Sequence, residues 1–301
     1  MLPLRHLPTE RNERRKPLRP LSVNPVRHPF PSEPPFDSIT AAFTTRHLGK
    51  SKPPFASLNT GLHTDDDPIN VIKNRKLVFE TLSLDPDSLT TAQQVHGEHV
   101  QKITEKERGR GAEKYADAIP ETDALITDVP NTPIGVFTAD CVPIFLYDPE
   151  RIAIGIVHAG WRSTVRGIAR KTVARMSDEY GSNPAHMWAA FGPSIGPCCY
   201  EVGQDVFDAF NQGTEPISSS MGRPEGGTIW AQSPKGSVPN AKWYLDLWFA
   251  NSLQLQACGL NTDQVINPRI CSACNADDYF SARKHGARTG RTLSVIAIKP
   301  A

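Results

Sequence analysis

Apolar positions along the chain fall into two patterns. Residues 134–147 form a near-continuous apolar run broken only at Asp140-Cys141 and Pro143, and residues 152–157 form another. Runs of this kind predict strands of a sheet buried on both faces. Shorter β-prone stretches at 41–45, 89–95, 187–191, 264–266 and 292–298 predict further strands. Elsewhere the spacing is helical. Val165, Ile168, Ala169, Thr172, Val173 and Met176 recur on one face before Gly181, and Leu245, Trp248, Phe249 and Leu253 do so before Gly259. Glycine just past the last periodic residue is a common helix stop. Residues 67–82 predict a third helix, with Pro68 in its first turn, where a missing N–H costs nothing. Strands and helices are interspersed, so the expected class is mixed α and β (α+β) with one main core.

Residues 1–37 lack both periods and are rich in Pro and Arg, as in Arg14, Arg15, Lys16, Pro17, Arg19 and Pro20. Such a segment buries too little apolar surface to offset its ordering entropy, which predicts a disordered basic tail. Glu10 and Glu13 argue against a transit peptide, a class poor in acids. Residues 38–301 then make one globular domain, with residues 218–240, rich in Gly and Pro, as a long surface loop.

A net charge of +1 gives no general reason to expect nucleic acid or an anionic membrane as partner. No apolar run approaches the roughly 18 residues that span a bilayer. The six cysteines stand at 141, 198, 199, 258, 271 and 274. A chain of 301 residues can build a core without disulfides, so reduced thiols and a cytoplasmic location are expected.

Three segments place a metal-binding side chain at or just beyond an apolar strand: His96 in Gln93-Gln94-Val95-His96-Gly97, Cys141 after Thr138-Ala139-Asp140, and His158 before Ala159-Gly160-Trp161-Arg162. Two imidazoles and a thiolate make a three-ligand zinc set that leaves one tetrahedral position open. Copper is the rival metal, but a blue-copper centre wants an axial ligand such as methionine. Met1, Met176, Met187 and Met221 are not adjacent to these ligands, so zinc is favoured. A metal-free alternative is a Cys–His hydrolase with Cys141 as nucleophile and His96 or His158 as base. Cys271-Ser272-Ala273-Cys274 has CxxC spacing, and Cys198-Cys199 would complete four thiolates for a structural zinc. Adjacent cysteines are poor partners for one ion, so ordinary buried cysteines are expected. Arg46, Arg162 and Arg283 offer planar forks suited to phosphate.

Taken together these motifs resemble the YfiH-like family, also described as laccase-domain or polyphenol oxidase proteins. The matching stretches are residues 55–63 (FASLNTGLH), 65–68, Asn74-Arg75, 93–97, 138–141 with Pro143, and 158–162. They continue through 192–202 (GPSIGPCCYEV), 271–275, Phe280-Ser281 and Thr289-Gly290-Arg291, and so cover about residues 40–298. The resemblance implies a mixed sheet core flanked by helices and a zinc ion on His96, Cys141 and His158. It implies activity on purine nucleosides: phosphorolysis of adenosine, inosine, guanosine or methylthioadenosine, and deamination of adenosine. A nucleoside and phosphate are then the small-molecule partners. On that reading Asp140 shuttles protons, Arg46 and Arg162 hold phosphate, and Asn59, His63 and Arg283 bind substrate. Two alternatives stand beside it, a peptidoglycan-precursor editing hydrolase and a copper polyphenol oxidase. Ser163 departs from the family pattern, where glycine is usual, in the turn after His158.

Overall fold

In the computed structural model, which describes residues 24–212, 230–232 and 243–300, the long apolar run is two strands in two different sheets. Ile134–Thr138 lies in a five-stranded sheet ordered Val26–Arg27, Ile39–Thr44, Thr292–Ile298, Ile134–Thr138, Thr90–Thr91. The chain crosses over at residues 139–141, and Val142–Asp148 enters a six-stranded sheet. Its order is Val265–Ile266, Trp188–Phe191, Val142–Asp148, Ala153–Ala159, Ala124–Thr127, Val100–Lys102. Both sheets mix parallel and antiparallel pairs.

The side-chain period of two explains why these strands read as continuous apolar runs. In Val142–Asp148, Phe145 and Tyr147 pack against Ile134, Val136 and Ile296 of the facing sheet. Val142, Ile144 and Leu146 pack under the helices Ile168–Tyr180 and Leu247–Ala257. Each such buried aliphatic or aromatic side chain contributes on the order of 2 kcal/mol. The outer face of the five-stranded sheet is covered by the helix Pro68–Leu82 through Val78 and Phe79. The layers therefore run helix, sheet, sheet, helices.

The expected strand at 89–95 shrinks to Thr90–Thr91, because the chain beyond it turns toward His96. The strands Val100–Lys102 and Ala124–Thr127 and the helix Gln204–Gln212 carry no clear signal in the sequence and are additions. The expected tail boundary at residue 37 falls inside the fold. Val26–Arg27 pairs with Ile39–Thr44, and Phe30 and Phe36 are buried with ring centroids 4.8 Å apart. Two aromatic anchors thus order a proline-rich stretch whose average composition points to disorder. Residues 1–23 lie outside the described residues. So does the expected loop 218–240, except for Trp230–Gln232, a strand paired antiparallel with Trp243–Leu245. Among the described residues no helix is long and apolar enough to cross a membrane.

Candidate metal centre and cavity

The crossover between the sheets brings Cys141 to the end of the strand that carries His158, since Pro143 and His158 are paired across the ladder. His158 shares the face of Ile154 and Ile156 and is 3% exposed. His96 reaches the same point from its turn with φ 57°, a left-handed conformation uncommon for a side-chain-bearing residue. Cys141 Sγ is 3.7 Å from His96 Nε2, the two imidazole rings stand edge to face at 4.8 Å, and the three ligand atoms all lie within 4.8 Å of one another.

A carboxylate that sequence reasoning missed organises this group. Asp123 is fully buried beside the strand Ala124–Thr127. Its Oδ1 accepts from His158 Nδ1 at 2.7 Å and from the His96 backbone N–H at 3.0 Å. Its Oδ2 accepts the N–H groups of Gly97 at 2.6 Å and Val95 at 3.2 Å. Burial opposes charge on Asp123, but the His158 imidazole and these N–H groups outweigh it and hold the carboxyl below its usual range. Asp123 therefore fixes the turn that presents His96 and holds the Nδ1 proton of His158, so that it is Nε2 that must give up its proton to meet an ion. A carboxylate behind a histidine ligand is the usual outer support of a metal site.

Without an ion, the electrostatics pair a thiolate with an imidazolium. Burial alone would raise the Cys141 thiol, yet His158 and His96 beside it bring it down to about 6. Burial would lower His158, yet Cys141 and Asp123 raise it to about 9. The centre thus favours a thiolate, the form that binds metals. Gly160 leaves the space: a Cβ there would stand 2.7 Å from His96 Cδ2 and 3.1 Å from Cys141 Sγ. Two imidazole nitrogens and a thiolate, backed by Asp123, suit a borderline ion such as zinc. Ser163 is buried in the helix Trp161–Val165, which Gly160 begins, so the turn after His158 is an ordinary helix start.

The group opens into a cavity of about 530 Å³. Of the residues expected there, His63, Asp140 and Arg283 line it with His96, Cys141 and His158. Asp140 is held at φ 98°, with Oδ1 accepting from Ser272 Oγ at 2.6 Å and Oδ2 from the Arg283 N–H at 2.7 Å. A side chain kept at a backbone position that favours glycine is a common mark of a functional site. Enclosure in the cavity wall, then Arg291 and Arg75, hold His63 down to about 4, so its imidazole is neutral at pH 7.

Arg46, Asn59 and Arg162 are not among the lining residues. Arg46 donates twice to Ala56 O and once to Ala276 O, contacts His285 Nε2 at 2.8 Å and stacks on Phe280. Its donors tie loops together. Asn59 is fully buried and accepts the backbone N–H of Arg291 at 2.9 Å. Arg162 is exposed and lies over the Trp161 ring. The arginine that reaches the cavity instead is Arg291, whose backbone N–H and carbonyl are bound by Asn59 and Thr60. Tyr200 and Phe137 add aromatic surface. Arg291 and Tyr200 stood inside the recognised motifs without a role. Asp123 had one signal, a carboxylate directly before the apolar stretch Ala124-Leu125-Ile126.

The family model described as multi-copper polyphenol oxidoreductase laccase matches residues 40–299. The chain is 36% identical over 263 residues to purine nucleoside phosphorylase YlmD of Bacillus subtilis (strain 168), covering 87% of this chain and 90% of that protein. It is 32% identical over 260 residues to adenosine deaminase RL5 from an unknown prokaryotic organism, covering 86% and 94%. The crystal structure of the hypothetical protein YfiH of Bacillus licheniformis superposes with a TM-score of 0.80 at 35% identity, covering 92% of this chain and 100% of that one.

Proposed function

The chain belongs to the laccase-like multi-copper polyphenol oxidoreductase family, and we propose that within it this protein is a zinc-dependent purine nucleoside enzyme. The reactions are phosphorolysis of adenosine, inosine, guanosine and methylthioadenosine, and deamination of adenosine. The observation that carries the reading is a single three-ligand centre opening into a cavity flanked by Arg283 and Arg291. A cavity of about 530 Å³ lies within the range typical of small-molecule sites. The relatives named as phosphorylase and deaminase align over nearly their whole length. Oxidation by several coppers is poorly supported. Among the described residues only one ligand cluster contains histidine, and Met176 and Met187 are buried in the core beneath the helices.

His96, Cys141 and His158 would hold the ion, which when bound supplies Lewis acidity toward the reacting molecule. The remaining roles belong to the chain's own groups. Arg291 takes the place of Arg46 and Arg162 as the partner for phosphate, since it faces the cavity, while Arg283, whose Nη1 and Nη2 donate to the carbonyls of Cys199 and Glu201, lends positive charge to the wall. In phosphorolysis a phosphate oxygen bonds to C1′ of the ribose, the C1′–N9 bond breaks, and the purine leaves with the proton of the hydrogen phosphate. His63, being neutral, orients a substrate hydroxyl or ring nitrogen by hydrogen bonding and is no ready cationic acid. Phe137 and Tyr200 offer surface for the flat base. In deamination water adds at C6 and ammonia leaves. Asp140, steadied by Ser272 and the Arg283 N–H, takes the water's proton and returns it to the departing amine. General acid–base help of this kind typically contributes about 10²–10⁴-fold. The six free thiols fit a reducing, cytoplasmic setting.

The test is incubation of zinc-loaded protein with adenosine, with and without phosphate, and chromatography of the products beside the Cys141→Ala variant. Adenine with ribose 1-phosphate, or inosine, formed by the wild type alone is the expected result. Fully zinc-loaded protein that leaves every nucleoside untouched overturns the proposal.

A further inference from the structure

Four cysteines with no part in the nucleoside chemistry meet at one point. The sulfurs of Cys198, Cys199, Cys271 and Cys274 all lie within 4.8 Å of one another. Cys274 Sγ is 3.5 Å from Cys198 Sγ and 3.4 Å from Cys199 Sγ, and all four are free thiols. The backbone explains the convergence. Ser194 and Cys271 form a parallel bridge, with the Ser194 N–H on Ile270 O and the Ser272 N–H on Ser194 O. This holds the two cysteine segments side by side. Adjacent residues on a strand point to opposite faces, the reason a Cys-Cys pair reads as a poor ligand pair. Here Cys198 and Cys199 sit in a tight turn, closed by the N–H groups of Cys199 and Tyr200 on Gly196 O, and both sulfurs face that of Cys274. Opposite them, a turn closed by the Asn275 N–H on Cys271 O brings Cys271 and Cys274 onto one side. The Gly196 N–H also donates to Cys271 Sγ at 3.3 Å.

A disulfide would need sulfurs at about 2.05 Å and would join only two of the four. A tetrahedral zinc with Zn–S bonds of about 2.3 Å needs sulfurs about 3.8 Å apart, a value inside the observed spread. Four thiolates with no oxygen or nitrogen donor are a ligand set for zinc or iron and disfavour magnesium and calcium, and four-cysteine sites are common for structural zinc. We propose that Cys198, Cys199, Cys271 and Cys274 form a second zinc site, closed and structural, apart from the His96–Cys141–His158 centre. It clamps the cavity wall. Ser272, between two of its ligands, holds Asp140, and the carbonyl of Cys199 accepts Arg283 Nη1 at 2.9 Å. Tyr200 follows Cys199 directly and lines the cavity.

The test counts zinc and does not depend on any nucleoside activity. Full-length protein is saturated with Zn²⁺ under reducing conditions, desalted, and analysed for zinc per chain. Two equivalents are expected for the wild type. One is expected for the Cys198→Ser/Cys274→Ser variant, altered at exposed positions, and one for His96→Ala. Cobalt-loaded His96→Ala should show the intense visible bands and sulfur-to-metal charge transfer of a four-thiolate site. Alkylation of Cys198 and Cys274 in the wild type should slow markedly with Zn²⁺ and recover on chelation. One zinc in the wild type, with alkylation of these cysteines indifferent to Zn²⁺, overturns the proposal whether or not the variants fold. A disulfide among them in reduced, zinc-treated protein overturns it equally.

Discussion

Replacing Asp123 by Asn tests whether the buried carboxylate organises the metal centre. The substitution preserves shape and removes charge. Asp123 now serves four donors, two on each oxygen: His158 Nδ1 and the His96 N–H on Oδ1, the Gly97 and Val95 N–H groups on Oδ2. An amide keeps only one oxygen. Turned one way, its NH₂ faces the Gly97 and Val95 N–H groups; turned the other, it faces the His96 N–H and can be accepted by His158 Nδ1 only if the imidazole proton moves to Nε2, the atom needed for the ion. One or two hydrogen bonds to a charged acceptor, worth about 1.5–3 kcal/mol each, are lost, or about 1.5–6 kcal/mol in all. Part of that loss falls on folding and part on the placement of His96 and His158. Removing such an outer partner commonly weakens metal affinity about 10–100-fold. Urea unfolding of the metal-free protein reads the first share, and chelator competition for zinc reads the second. If Asp123→Asn leaves the unfolding midpoint in place and zinc affinity within about twofold, Asp123 does not hold the ligand turn, and the account given for His96 and His158 fails.

Gly160→Ala should weaken zinc binding with little effect on the helix it begins, because its backbone at φ −75° suits any residue while the new Cβ meets His96 and Cys141; isothermal titration checks this. Arg75 is buried, with its donors on the carbonyls of Thr60, Gly111 and Ala112. Arg75→Met leaves these acceptors unpaired and should cost about 3 kcal/mol or more in denaturant unfolding. His63 should titrate near 4 by NMR of its ring protons. The unfolded chain protonates His63 near 6.5 while the folded one resists until about 4, so stability should fall as pH drops through that window. His63→Gln should flatten that part of the pH–stability profile, and an unaltered profile would count against the shift.

The strand and helix core was legible because both faces of the central strands are apolar and the long helices carry clear periods and stops. The crossover between sheets was not, since a run of apolar residues looks the same whether it stays in one sheet or changes to another. Asp140-Cys141 marked the place without saying what happened there. At the site, residue type told what a side chain offers but not where its hydrogen bonds go. Arg46 and Asn59 offered suitable groups, yet neighbouring backbone and loop side chains absorb them, and Arg291 holds the position in the cavity. Asp123 had no role in the sequence, because it is the pairing of Ala124–Thr127 with the strand of His158 that puts it there. The Cys198-Cys199 pair was discounted because adjacent cysteines are poor partners for one ion, and the tight turn that brings both sulfurs to Cys274 reverses that reasoning.

The double-sided burial of Val142–Asp148 also changes what kind of information keeps the strand in place. In a half-exposed strand a slip of one residue carries apolar groups into water, and polarity enforces the register. Here a slip would exchange one dry face for the other, so water imposes no such penalty. Discrimination must come from bulk and from one polar anchor. The aromatic rings of Phe145 and Tyr147 belong to the gap between the sheets, the aliphatic Val142, Ile144 and Leu146 to the gap beneath the helices, and the Tyr147 hydroxyl meets Ser38 Oγ at 2.5 Å. Cys141 enters its site only when that alignment is right. The geometry of the ligand set is therefore underwritten by a volume code in the core, readable as which residues are large and which are merely greasy.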